Sequence, residues 1–151
     1  MLSNPRPRVL SIDDDEDSRA MLVTLLRLAF IDAQAVESAA QALSLVQTEH
    51  FDLVMLDAWL PEIDGFELCR RMRAFDPHIP IIFFSGAAYD TDKKKGIEAG
   101  ADDYVSKPDI SQLMRSVKAF TKQVVEPCQV GRSSDIRSPR ASISGQLELR
   151  N

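Results

Sequence analysis

A short apolar run bounded by acids, residues 52–57, constrains the fold of this chain more than any other feature. Its central Leu-Val-Met-Leu stretch predicts a buried strand with both faces covered. Asp57 then lies at the carboxyl end of that strand, where open α/β sheets gather their functional groups. A second apolar run, residues 9–12, also ends in acids, at residues 13–15. If the two strands are neighbours, their carboxylates repel one another unless a hard cation lies among them.

Length and composition narrow the class of protein. At 151 residues the chain has the size of one domain, and no apolar stretch approaches the length of a membrane span or forms a signal peptide core. Cys69 and Cys128 match no metal-ligand spacing and suit a reducing compartment, so we expect a cytoplasmic protein. The net charge of −5 argues against a nucleic-acid partner, and we expect neither nucleic-acid nor membrane binding.

Strand-like and helix-like patterns alternate five times, which predicts an α/β fold with a parallel sheet and helices on both faces. The second strand, residues 33–36, is weak and suits an edge. We predict Ser38 as the N-cap of the second helix and Gly100 as the left-handed stop of the fourth. The last helix has apolar residues at helical spacing, namely Ile110, Leu113, Val117, Phe120 and Val124.

The composition changes near Pro127, after which serine and arginine dominate and apolar residues come singly. We therefore expect an N-terminal extension over residues 1–7, one domain over residues 8–126 and a disordered tail over residues 127–151. A tail of this length is too short for a separate output domain, so we expect the domain to act through contacts with other proteins or as one step of a relay.

Each predicted strand end carries a chemically useful group. The first ends at Asp13 and Asp14, the third at Asp57, the fourth at Ser85, and Lys107 follows the fifth. Paired carboxylates suit Mg²⁺, and an aspartate beside such a cation can attack phosphorus and become an acyl phosphate. A lysine and a hydroxyl can then stabilise the charge on the phosphoryl oxygens.

These residues make the chain resemble the receiver domain of response regulators, of the CheY-like type, over roughly residues 8–125. The remaining carriers of the resemblance are Leu60-Pro61, Asp64-Gly65, Ser85-Gly86, Glu98-Ala99-Gly100-Ala101-Asp102-Asp103-Tyr104 and Lys107-Pro108. The resemblance implies a single doubly wound, flavodoxin-like (βα)5 domain with strand order 2-1-3-4-5. It also implies a place in two-component phosphorelay signalling.

The resemblance assigns a role to each site residue. Asp57 would accept a phosphoryl group from a sensor histidine kinase or a histidine phosphotransfer protein. Mg²⁺ would be bound by Asp14, Asp57 and the backbone carbonyl of Trp59, and by Asp13 either directly or through water. Ser85 and Lys107 would hold the phosphoryl oxygens, and the Lys107–Pro108 bond would be cis. Ser85 and Tyr104 would form the switch that changes contacts with an unidentified target, in a monomer or a phosphorylation-dependent dimer.

Three alternatives stay open. Tyr104 could be a core tyrosine instead of a moving switch. The chain could be an aspartate-nucleophile phosphatase or phosphotransferase of the haloacid-dehalogenase type, although such enzymes carry a second aspartate where this chain has Trp59. It could also be a silent receiver used as a scaffold, although none of the phosphorylation residues is lost. We favour the phosphorylatable receiver, which is not an enzyme beyond its own Mg²⁺-dependent phosphorylation and dephosphorylation.

Overall fold

Five strands and five helices alternate along residues 5–121, which are the residues described by the structure, a computed structural model. The strands are β1 (Arg8–Ile12), β2 (Asp32–Val36), β3 (Leu53–Leu56), β4 (Ile81–Ser85) and β5 (Asp103–Ser106). The helices are α1 (Glu16–Leu28), α2 (Ala39–Thr48), α3 (Gly65–Phe75), α4 (Asp90–Glu98) and α5 (Ile110–Thr121). All strand pairings are parallel in the order β2-β1-β3-β4-β5, which confirms the predicted doubly wound sheet.

Two apolar cores cover the two faces of the sheet. On one face, residues of α2 and α3 pack against the strands, and on the other α1 and α5 do so. Every residue of β3 and β4 is buried, because both strands lie inside the sheet and are covered on both sides. Their near-continuous apolar sequences follow from that position. The edge strand β2 is only partly buried, in agreement with its weaker sequence pattern.

Helix ends follow local side-chain chemistry. Ser38 caps α2 by accepting a hydrogen bond from Gln41 N at 3.2 Å, as the sequence predicts. Gly100 has φ of 113° just after α4, which confirms the left-handed stop. Asp15 caps α1 by accepting from Ser18 N at 2.8 Å, so the third acid of the first loop has a structural role.

Some sequence predictions fall outside the described residues. The described part of α5 ends at Thr121, so Val124 and the tail predicted over residues 127–151 lie beyond it. The domain boundaries at residues 8 and 126 therefore stay predictions. Among residues 5–121, no helix is long and apolar enough to cross a bilayer.

Candidate functional site

The carboxyl ends of four strands bring the predicted site residues together. Ile12 of β1 is in register with Leu56 of β3, so the residues that follow them, Asp13 and Asp57, emerge side by side. On the other side of β3, β4 ends at Ser85, which is paired with Ser106, the last residue of β5 and the one directly before Lys107. Parallel strands end at a common edge, and residues from four separate segments therefore meet there.

Lys107 donates to both Asp13, which follows β1, and Asp57, which follows β3. Its Nζ donates to Asp13 Oδ2 at 2.7 Å and to Asp57 Oδ2 at 3.1 Å. Burial on its own would lower the pKa of Lys107, but the hydrogen bond to Asp13 and the charges of Asp57 and Asp13 outweigh it and raise the pKa. The side chain is therefore a fully charged ammonium at neutral pH. The Lys107–Pro108 peptide bond is cis, as the resemblance implies.

Both carboxylate oxygens of Asp57 have hydrogen-bond donors. Oδ1 accepts from Ser85 Oγ at 2.9 Å and from the Trp59 amide at 3.2 Å, while Oδ2 accepts from Lys107. The Asp57 amide in turn donates to the carbonyl of Ile12 at 3.0 Å, which fixes the end of β3 against β1. Asp57 is thus held in one orientation among groups that stabilise negative charge.

Three carboxylates form a cluster that suits a hard cation. One ligand oxygen each from Asp13, Asp14 and Asp57 lies within 4.8 Å of the others. Asp13 is buried, with 2% of its surface exposed, whereas Asp14 faces solvent. An all-oxygen donor set with an open side fits Mg²⁺, which binds few carboxylates and keeps several waters. The carbonyl of Trp59 stays a predicted ligand, since the contact that this residue makes with the site is through its amide.

Tyr104 lies inside the core. It is 8% exposed, its ring stacks on Phe83 with centroids 5.2 Å apart, and its hydroxyl donates to the carbonyl of Ala87. The Ala87 amide donates to Ser85 Oγ at 3.1 Å, so Ala87 connects Tyr104 with Ser85 and hence with Asp57. Burial raises the pKa of Tyr104, which keeps the hydroxyl protonated and able to donate. The core position matches one of the two roles left open by the sequence; the switch role stays a prediction.

Gly65 contacts the site in a way that the sequence does not predict. Asp64-Gly65 belongs to the residues that resemble the receiver family, and the sequence assigns no contact to the pair. In the structure the Gly65 amide donates to the carbonyl of Ala58 at 2.8 Å. A β-carbon on Gly65 would overlap the carbonyl oxygen of Asp57 and lie 2.9 Å from Ala58 Cα. The first residue of α3 therefore packs directly on the backbone of Asp57.

A comparison with known protein families agrees with this geometry. Residues 9–118 match the family model described as the response regulator receiver domain. The chain belongs to this receiver family. Family membership and the strand order favour the receiver domain over the haloacid-dehalogenase alternative.

Solved receiver domains have the same fold. The receiver domain of the Francisella response regulator 1452 superposes with a TM-score of 0.74 at 29% identity, over 78% of this chain and 98% of that one. The response regulator protein TrrA from Thermotoga maritima, solved in complex with Mg²⁺ and BeF, has a TM-score of 0.70 at 27% identity, over 76% of this chain and 98% of that one. Receiver domains bind Mg²⁺ at an acidic pocket, and Asp13, Asp14 and Asp57 of this chain form an acidic group that could hold such an ion.

Curated relatives are longer proteins. The DNA-binding dual master transcriptional regulator RpaA of Synechocystis is 32% identical over 133 residues, which cover 86% of this chain and 55% of RpaA. The DNA-binding response regulator MtrA of Mycolicibacterium smegmatis is 40% identical over 103 residues, which cover 68% of this chain and 45% of MtrA. The chain thus spans about half the length of the curated relatives it matches.

These relatives correct one prediction. The sequence analysis predicts no nucleic-acid partner and no output domain. This prediction is wrong, because the matching relatives are DNA-binding regulators. A net charge of −5 belongs to a receiver-sized segment, and the charge of such a segment does not report what the rest of a regulator of this family binds.

Proposed function

We propose that this receiver domain takes a phosphoryl group onto Asp57 from a sensor histidine kinase or a histidine phosphotransfer protein. One observation carries the proposal: the Asp57 carboxylate lies between the ammonium of Lys107 and the hydroxyl of Ser85, beside two further acids. A carboxylate without a base, metal or cation nearby is a weak nucleophile toward phosphorus. Here the surroundings supply positive charge and a hydroxyl donor on the side where the phosphoryl oxygens would gather charge.

In the proposed reaction an Asp57 carboxylate oxygen forms a bond to the phosphorus of the donor. The bond from phosphorus to the donor histidine nitrogen breaks, and that nitrogen keeps the electron pair. Lys107 and Ser85 already contact the carboxylate and would move their hydrogen bonds to the new phosphoryl oxygens. A Mg²⁺ ion held by Asp13, Asp14 and Asp57, with the Trp59 carbonyl as the predicted fourth ligand, would supply further charge neutralisation.

The same contacts suggest how phosphorylation changes the surface. The Ser85 hydroxyl bonds Asp57 and accepts from the amide of Ala87, whose carbonyl accepts from Tyr104. Drawing the Ser85 hydroxyl toward a phosphoryl group would displace Ala87 and release the Tyr104 hydroxyl. To move the domain from mostly off to mostly on, the phosphoryl group must favour the active packing by about 5 kcal/mol. By similarity to RpaA and MtrA, we infer that the altered contacts control transcription.

Intact-mass measurement after incubation with acetyl phosphate and Mg²⁺ tests the proposal. We expect wild type to gain the mass of one phosphoryl group and Asp57→Asn to gain none. Asp90→Asn, which alters an exposed acid at the start of α4, is the matched control and should be labelled like wild type. Labelling of Asp57→Asn would assign the acceptor elsewhere. An unlabelled wild type would favour the silent-scaffold alternative.

A further inference from the structure

Arg19, on the second turn of α1, reaches back to the acidic loop. Its Nη1 donates to the carbonyl oxygen of Asp13 at 2.9 Å, and its Nη2 lies 3.7 Å from Glu37 Oε1. The side chain is only 20% exposed, so the guanidinium is held against the protein between the loop after β1 and the residue after β2. The planar fork of arginine allows one side chain to contact both groups.

With this contact, every polar group of Asp13 is fixed. Its amide donates to the carbonyl of Val36 at 3.1 Å, and its carbonyl accepts from Arg19. One carboxylate oxygen accepts from the Asp15 amide at 2.9 Å and the other from Lys107 at 2.7 Å. Among these partners, Arg19 is the one that bonds the Asp13 carbonyl. Arg19 therefore contacts the peptide that joins Asp13 to Asp14.

We propose that Arg19 is a positioning residue that fixes the Asp13 main chain and thereby raises the affinity of the Asp13, Asp14 and Asp57 cluster for Mg²⁺. This inference rests on the metal site of the proposed function. The proposed effect on Mg²⁺ affinity is opposite to the electrostatic effect of Arg19, because a guanidinium beside a cation site repels the cation. Charge alone predicts that removing Arg19 strengthens Mg²⁺ binding, whereas positioning predicts that it weakens binding.

Calorimetric titration with MgCl₂, supported by the fluorescence of the single tryptophan, Trp59, separates the two effects. Arg19→Lys keeps the charge but loses the fork, and we expect about tenfold weaker Mg²⁺ binding, as is typical when a partner behind a metal ligand is lost. Arg19→Gln removes the charge and should also bind more weakly. Arg27→Lys and Arg27→Gln are matched controls, because Arg27 lies exposed on the same helix, and both should bind like wild type.

A second readout without metal keeps the inference testable if Arg19→Gln folds poorly. In ¹⁵N NMR spectra of metal-free protein, Arg19→Lys should shift the Asp14 amide, whereas Arg27→Lys should leave it in place. Tighter Mg²⁺ binding in Arg19→Gln with unchanged binding in Arg19→Lys would show a pure charge effect and overturn the inference. So would unchanged binding in both variants. Absence of Mg²⁺ binding in wild type would instead contradict the metal site of the proposed function.

Discussion

The ammonium of Lys107 lies 2.7 Å from Oδ2 of Asp13, and it joins the end of β5 to the end of β1 across two intervening strands. The same ammonium lies 3.1 Å from Asp57 Oδ2. Lys107 thus donates hydrogen bonds to two of the three carboxylates to which we assign Mg²⁺. The lysine and the metal ion compete electrostatically for these carboxylates, although both would stabilise a phosphoryl group.

Replacing Lys107 with methionine should therefore tighten Mg²⁺ binding while slowing phosphorylation by acetyl phosphate. Two unit charges about 4 Å apart near a protein surface interact by roughly 1–4 kcal/mol, so we expect about a tenfold gain in Mg²⁺ affinity. Calorimetric titration measures it, and Lys118→Met, which alters an exposed lysine of α5, is the control. Weaker Mg²⁺ binding in Lys107→Met would mean that the lysine organises the carboxylates more than it competes for them.

Lys107 should also confer stability that is lost only at alkaline pH. The bonds and charges of Asp13 and Asp57 outweigh burial and raise the pKa of Lys107, so the folded state holds this proton more tightly than the unfolded chain. The stabilisation is complete below the unfolded pKa of about 10.4 and disappears as pH rises through the folded pKa. Urea unfolding without Mg²⁺ should therefore give a constant difference in unfolding free energy between wild type and Lys107→Met from about pH 7 to 10, and a smaller difference above. A difference that shrank between neutrality and about pH 9 would contradict a raised pKa.

Gly65→Ala should destabilise the domain and impair phosphorylation together. The added β-carbon would overlap the Asp57 carbonyl oxygen, so either α3 or the acceptor must shift, at a cost of about 1–3 kcal/mol. Gly86→Ala is the matched control, since a β-carbon there meets nothing within 4 Å and its backbone is not left-handed. Thermal unfolding and intact-mass labelling rates measure the two effects. Wild-type behaviour of Gly65→Ala would show that the contact between α3 and Asp57 relaxes without consequence.

Trp59 should prolong the phosphorylated state. It lies two residues past Asp57, is 58% exposed and can cover the approach of water without an acid or amide to orient it. The resemblance implies that this position tunes self-dephosphorylation. We expect phosphate release to be about tenfold faster in Trp59→Asn, which corresponds to about 1.4 kcal/mol in the barrier, and nearly unchanged in Trp59→Phe. Equal rates in wild type and Trp59→Asn would mean that the indole points away from the acceptor.

Much of the fold could be predicted because its signals are local. The apolar runs at residues 52–57 and 81–84 mark buried strands, Ser38 marks a helix start and Gly100 marks a helix stop, and the structure confirms all four. The strand order could not be derived from local patterns, because no feature of the β2 sequence shows that β2 pairs with β1 alone. That order was predicted only from the resemblance to receiver domains.

For the candidate site too, local patterns identify some residues, whereas other contacts depend on tertiary packing. Asp57, Ser85 and Lys107 were identified from their places after apolar runs and from the motif they share with receiver domains. The contacts of Gly65, Ala87 and Arg19 were not predicted, because each depends on how close two distant backbones lie after packing. The local sequence around a glycine in a turn or an arginine on a helix is the same whether or not that residue contacts the acceptor loop in space.

Alternation, apolar runs and turn residues act over a few positions of the chain, so the amino-acid sequence is enough to predict which residues end each strand. The bonds from Lys107 to Asp13, 94 positions away in sequence, and to Asp57, 50 positions away, form only once the strands have paired. These bonds follow from the register of parallel strands and from the packing of helices on both faces of the sheet. Such long-range pairing is set by the burial of the whole core, which no local pattern specifies.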